Sequence, residues 1–271
     1  MNTYKNYLRL YWNTTRKTQL IYLGCIPLVL ILMTAMGMAN GVLYNISAEQ
    51  SVSLIQSRYI SNAQIVLIIF AALSGSSMYS AMRDKAGRLT TLCLPASQSS
   101  KFWAYFTIYV LGFLGVFIVS IFVVDWLRVA VLSLAGYGAY AECTPAGALL
   151  SMSTDLIDGN EQWIIYSTLV WCTALGVLCL GAQGSIFFLN KALVKNTAFY
   201  IGLGIVCMIL IFSGFNTFFE GHFAIPRFKD DIDMTRGEVA AVFWVVTLLV
   251  FAGCMALSYL RFKESETQNR W

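Results

Sequence analysis

Apolar residues in this chain gather in long blocks separated by shorter polar stretches. Six blocks lie near or above the ~18 consecutive apolar residues that mark a helix able to cross a bilayer. They cover residues 19–43, 63–82, 102–134, 163–189, 197–219 and 239–262. No internal repeat and no soluble domain interrupts them. The pattern predicts an all-α polytopic membrane protein of six transmembrane helices, forming a single domain over residues 1–271. The polar stretch 44–62 is expected to extend the neighbouring helices.

Ahead of the first block lies TYKNYLRLYWNTTRK, residues 3–17. Tyr4, Tyr7, Leu8, Tyr11 and Trp12 recur at helical i, i+3, i+4, i+7 and i+8 spacing, while Lys5, Arg9 and Arg16 fall largely elsewhere on the wheel. This predicts an N-terminal amphipathic helix in the membrane interface, aromatics toward the apolar phase and cations toward anionic headgroups. A plain aromatic belt flanking the first span is the competing reading. The first block itself lacks a small-residue cleavage site before the next polar segment, so it is expected to be a retained span and not a signal peptide.

Lys and Arg placement sets the orientation. Thirteen of the 18 fall in the N-terminal segment, the second-to-third and fourth-to-fifth connections and the C-terminal segment. The other side holds Arg58, Arg227, Lys229 and Arg236, with Arg128 near the end of the third span. Both termini are therefore expected in the cytoplasm.

Composition agrees with the pattern. The 271 residues are 58% hydrophobic and 12% charged, with mean hydropathy +0.67, against about 25% charged in a soluble domain. The seven cysteines lie mostly inside the blocks and read as small apolar helix residues, not as a disulfide framework. With His222 the single histidine and no Cys/His cluster, no metal site is expected. There is no G-x-x-x-x-G-K-[ST], G-x-S-x-G, H-E-x-x-H or C-x-x-C, so no catalytic residue, no cofactor and no nucleic-acid partner is expected of this chain.

Four features remain. Asp125 and Arg128, in FVVDWLRVAV, share a helix face at i, i+3 and can pair. They read as an ion pair marking the outer end of the third span, or as part of a substrate or proton path. Gly37 and Gly41 form a G-x-x-x-G in the first span, a possible dimer contact; Asn45-Ile-Ser47 is a sequon on the expected outside. The fourth feature is the connection 83–101. It carries Arg83, Lys85 and Arg88, then Leu92, Leu94-Pro95 and a serine-rich turn leading to Lys101 and Trp103. Pro95 stops any helix before it, and Ser97 or Ser99 can cap the next one. Two descriptions stand: a compact helix-turn projecting from the cytoplasmic face, or an interfacial loop whose cations only enforce topology.

The arrangement resembles the permease subunit of bacterial type-2 ABC exporters. Many members carry a basic segment, Leu-Pro-x-Ser, and an acid-Lys pair opening the third span. Here Leu94, Pro95, Ser97 and Lys101 match, and Ser100 stands where the acid is usual. The resemblance implies two permease copies in the bacterial inner membrane, as homodimer or heterodimer. Each would rest on a separate cytoplasmic ABC ATPase that carries the ATP and Mg. The loop 83–101 would be the coupling element, with Arg83, Lys85, Arg88, Leu92, Pro95, Ser97 and Lys101 as contacts. Two alternatives carry no ATPase: a non-transporting immunity or assembly factor, and an ion-coupled carrier dependent on Asp125.

Overall fold

A computed structural model describes residues 3–42, 48–82, 93, 96–154, 157, 163–187 and 236–268. Among these residues there are helices and turns and no β-strand. Helix α1 is Thr3–Val42 and α2 is Ala48–Ser77. Helix α3, Gln98–Phe106, passes through a π-helical turn at Thr107–Gly112 into α4, Phe113–Leu134. A short α5 follows at Ala146–Ser151, then α6 at Trp163–Phe187 and α7 at Arg236–Gln268. Among the described residues, four helices are long and apolar enough to cross a membrane: Val52–Ser77, Gln98–Leu134, Ile164–Ile186 and Ala240–Glu264. In α1 the apolar stretch Gly24–Met36 is shorter. The expected fifth span, 197–219, lies outside the described residues.

The largest difference from the expected elements is at the start of α2, which begins at Ala48 rather than residue 63. Its first four turns are polar in composition but amphipathic in arrangement. Val52, Ile55, Gln56, Tyr59, Ile60 and Ala63 are buried at helical spacing, which a search for continuous apolar blocks does not detect. The extension expected of the polar stretch 44–62 is realised here. At the other boundary, residues 3–17 do form a helix, but one continuous with the first span. At 1.5 Å per residue the 40 residues of α1 run about 60 Å, roughly twice the thickness of a hydrocarbon core.

Side-chain contacts give the helix directions. Tyr59 Oη donates to the Ile121 carbonyl (2.5 Å) and Ser74 Oγ to the Tyr109 carbonyl (2.5 Å), so α2 runs antiparallel to α3–α4. Ser99 Oγ meets Tyr259 Oη at 3.0 Å, and the Phe106 and Phe251 rings lie 6.3 Å apart, which makes α7 antiparallel to α3. The Cys172 thiol reaches the Phe243 carbonyl at 3.9 Å and the Cys179 thiol the Phe251 carbonyl at 3.7 Å; α6 and α7 are therefore parallel neighbours.

A close backbone approach joins α2 to α6. A Cβ built on Gly75 would lie 2.2 Å from the Leu178 carbonyl oxygen, and one on Gly181 would lie 2.9 Å from the Ser76 amide nitrogen. Ser76 and Ala182, both buried, border this approach. In an apolar solvent helices gain little from hiding apolar side chains, so close contact of small residues is what draws them together. The outer faces fit the same solvent. In α7, Val242, Val245, Val246, Leu248, Leu249 and Val250 are each more than half exposed. In water such a continuous apolar face would be a liability; against lipid it carries no penalty.

Candidate functional site

The bundle has two ends with different chemistry. At the first, the N-terminal turns of α1, the end of α2, the start of α3 and the end of α7 converge on a cluster of tyrosines. Tyr11 packs edge-on to Tyr105 (ring centroids 4.5 Å), Tyr105 lies against Tyr79 (5.5 Å), and both Tyr79 and Tyr105 contact Phe262 (5.9 and 6.1 Å). The hydroxyls form a second layer. Tyr11 Oη and Ser80 Oγ each lie 3.4 Å from Tyr109 Oη, and Tyr4 Oη is 2.7 Å from Thr107 Oγ1. Burial pushes the Tyr7 hydroxyl up from its ordinary value, against a smaller opposing hydrogen bond with Tyr105. Burial pushes Tyr11 well up too, with Tyr109 and Tyr105 adding in the same direction. Both stay neutral and able to donate.

This changes the picture of the N-terminal helix. Tyr7 and Tyr11 are buried in the protein core, and Tyr4 and Leu8 pack partly against it. The stripe expected to face the apolar phase of the membrane is turned onto α3 and its π-turn instead, because those elements offer it both aromatic rings and hydroxyl partners. Trp12 remains on the exposed side, with Lys5, Arg9 and Arg16.

The start of α3 follows the local chemistry of its sequence. Ser97 is the N-cap: its backbone is extended (φ −62°, ψ 147°), and its Oγ accepts from the Ser100 amide at 3.3 Å. Ser100 occupies the third helical position, where a capping box places an acid reaching back to the cap. Here its hydroxyl instead meets Ser97 Oγ at 2.8 Å. Lys101 is only 1% exposed. Expected among the partner contacts, it is directed into the bundle, while Trp103 is exposed. Cys93 is exposed. Arg83, Lys85, Arg88, Leu92 and Pro95 lie outside the described residues.

At the opposite end, residues 136–154 cross over the bundle between α4 and α6 as a strap. Beneath it sits the pair expected from the i, i+3 spacing. Arg128 donates to Asp125 Oδ1 through Nε (3.0 Å) and Nη2 (2.8 Å), with both side chains fully enclosed. The strap completes the pair: the Thr144 amide donates to Asp125 Oδ2 (2.9 Å), Thr144 Oγ1 donates to Asp125 Oδ1 (2.8 Å), and Arg128 Nη2 donates to the Glu142 carbonyl (2.8 Å). The Tyr59 ring faces the guanidinium at 5.9 Å. A buried charge pair is tolerable only with its remaining lone pairs and protons engaged; Thr144 does that for the carboxylate. Its part was not visible in the sequence, since a threonine 19 residues from Asp125 in an irregular stretch carries no spacing signal.

Gly37 and Gly41 are in the last turns of α1, and the packing at their positions lies outside the described residues. The described residues hold no group of three or more His, Cys, Asp or Glu that could hold a metal ion. No protein-family model, curated protein or solved structure matches the chain.

Proposed function

We propose that this chain is the membrane-spanning permease subunit of an ABC exporter, working with a separate cytoplasmic ATPase and a second permease copy in a bacterial inner membrane. The observation that carries the reading is the junction at Ser97. The Leu94-Pro95-Ala96-Ser97 motif ends in a real helix cap, and the helix it starts is locked into the bundle through Ser99, Lys101 and Phe102. A push delivered to the loop 83–95 would therefore pass directly into the 37-residue helical segment Gln98–Leu134. ATP and Mg would be bound by the partner subunit, and the cargo is unassigned.

Six spans with both termini in the cytoplasm follow from the same reading. What supports them is the parallel packing of α6 and α7, because two parallel neighbours need a return crossing between them. Residues 188–235 contain one apolar block of the right length, 197–219. The N-terminal turns of α1 and the last turns of α7 also meet at one end. An ion-coupled carrier is less well served: the carboxylate of Asp125 is already held by Arg128 and Thr144.

The test is mild extraction of the native complex followed by measurement of ATP hydrolysis in the purified sample. ATPase activity should accompany the chain, and Arg88→Ala and Leu92→Ala should each release the ATPase while leaving the permease folded. A purified chain with no associated ATPase, active in its cellular role with both loop substitutions, would support an immunity or assembly factor instead.

A further inference from the structure

The strap at residues 136–154 is tied down by side chains from three helices, nearly all of them gripping its backbone. Gln56 of α2 donates to the Cys143 carbonyl (3.2 Å) and Gln64 of α2 to the Met152 carbonyl (2.6 Å). Trp171 of α6 donates to the Leu150 carbonyl (3.0 Å), and Arg128 of α4 to the Glu142 carbonyl (2.8 Å). The strap in turn pushes Ala148, Leu149 and Met152 into the core, each at most 1% exposed. It plugs this end of the bundle.

The closed arrangement also holds unfavourable terms. Met152 has φ +53°, a left-handed conformation that an L side chain rarely adopts. Arg128 Nη1 and Ser153 Oγ are buried with no hydrogen-bond partner among the described residues. A buried donor left unmade weighs against the state that buries it, and exposure to water removes the penalty. Strain and unmade bonds on one side, apolar burial and the Asp125–Arg128–Thr144 network on the other, describe an element with two accessible arrangements.

We infer that the strap is an outer gate, and that Asp125, Arg128 and Thr144 are its latch. The gate opens when Thr144 leaves the ion pair, carrying Glu142, Leu149 and Met152 away from the bundle as one unit. Asp125 and Arg128 stay paired on α4, so no lone charge is left in the low-dielectric interior. The inference deepens the transport reading and rests on it for the purpose of opening; the opening itself does not depend on any ATPase.

Hydrogen exchange of the full chain in lipid nanodiscs tests it, read by mass spectrometry for the native protein, Thr144→Val and Asp125→Asn. Thr144→Val keeps the side chain's shape and removes only the hydroxyl, which donates to Asp125 Oδ1 and accepts from Arg128 Nη2 (3.3 Å), so it isolates the latch from folding. In Thr144→Val, exchange at residues 141–154 should rise about ten-fold or more, with α2, α4 and α6 unchanged; in Asp125→Asn, which also leaves Arg128 buried without its counter-ion, the same rise should extend into α4. Unchanged exchange in the strap overturns the gate. A rise spread equally through the helices overturns it too, since the network would then be holding the whole bundle. A free-opening strap in a chain that recruits no ATPase would leave the gate standing and remove the transport reading.

Discussion

Ser97 and Gly75 show how much a single position decides in this protein. Ser97→Ala removes the cap of α3 and should lower stability by about 1 kcal/mol. Ser100→Glu, by completing the capping box at the helix's positive end, should raise it by about 0.5 kcal/mol. Thermal unfolding in detergent checks the pair; equal effects of the two changes would show that the cap contributes nothing. At Gly75 even one methyl group is excluded, since its Cβ would lie 2.2 Å from a backbone oxygen of α6. Gly75→Ala should therefore cost about 1–3 kcal/mol by forcing α2 and α6 apart. Gly115 is the control: nothing lies within 4 Å of its Cβ position. There Gly115→Ala should gain about 0.5–1 kcal/mol from helix propensity alone. If both alanines behave alike, the close α2–α6 crossing is wrong. The sequence flagged Gly37 and Gly41 because four-residue spacing is visible within one helix. Gly75 and Gly181 escaped notice because their relation is between two helices, more than a hundred residues apart.

Elements were legible where their own pattern defines them, and less so where a partner does. The stripe of Tyr4, Tyr7, Leu8 and Tyr11 identified a helix correctly. Its orientation depended on α3 and the π-turn, which present Tyr105, Thr107 and Tyr109 to it. The π-turn at Thr107–Gly112 left no mark in the sequence; it takes up one residue more than an α-helical stretch would while the helices on either side keep their register. Deleting Leu111 should therefore restore an ordinary helix there and leave Ser99 facing Tyr259. A Ser99→Cys, Tyr259→Cys pair should crosslink readily in the native background and in the deletion alike; loss of the crosslink in the deletion would mean that the turn sets the rotation of α3. The buried tyrosines give this end of the bundle a pH limit. Tyr7 and Tyr11 hold their protons in the folded state to a higher pH than the ordinary value of about 10. Their contribution is complete below about pH 10 and falls as pH rises through the folded-state values. Proteolysis of residues 3–17 should therefore accelerate in alkali, and Tyr11→Phe should blunt the change; a rate flat with pH would show that this segment is not held by its tyrosines.

For the whole molecule, the solvent does the sorting. Exposed valines and leucines on α7 and small residues between α2 and α6 make sense together only if the medium is apolar. Polar chemistry is then confined to the ends, with tyrosine hydroxyls and cations at one and the Asp125–Arg128 latch at the other. The direction of each helix links these ends. α6 finishes at the tyrosine end, while α7, its parallel neighbour, starts at the strap end. A chain cannot join those two points without traversing the bundle's length, about 30 Å if the bundle matches a hydrocarbon core. Residues 188–235 should therefore cross the membrane once, placing Lys191 and Lys229 on opposite sides. Native cysteines supply the references, since Cys93 and Cys143 are both exposed, one near each end. Lys191→Cys should react with an impermeant maleimide from the same side as Cys93, and Lys229→Cys from the same side as Cys143, each site resolved by mass spectrometry. Labelling of both introduced cysteines from one side would break the argument at its base. α6 and α7 could then not be parallel, and the contacts of Cys172 with Phe243 and of Cys179 with Phe251 could not both exist.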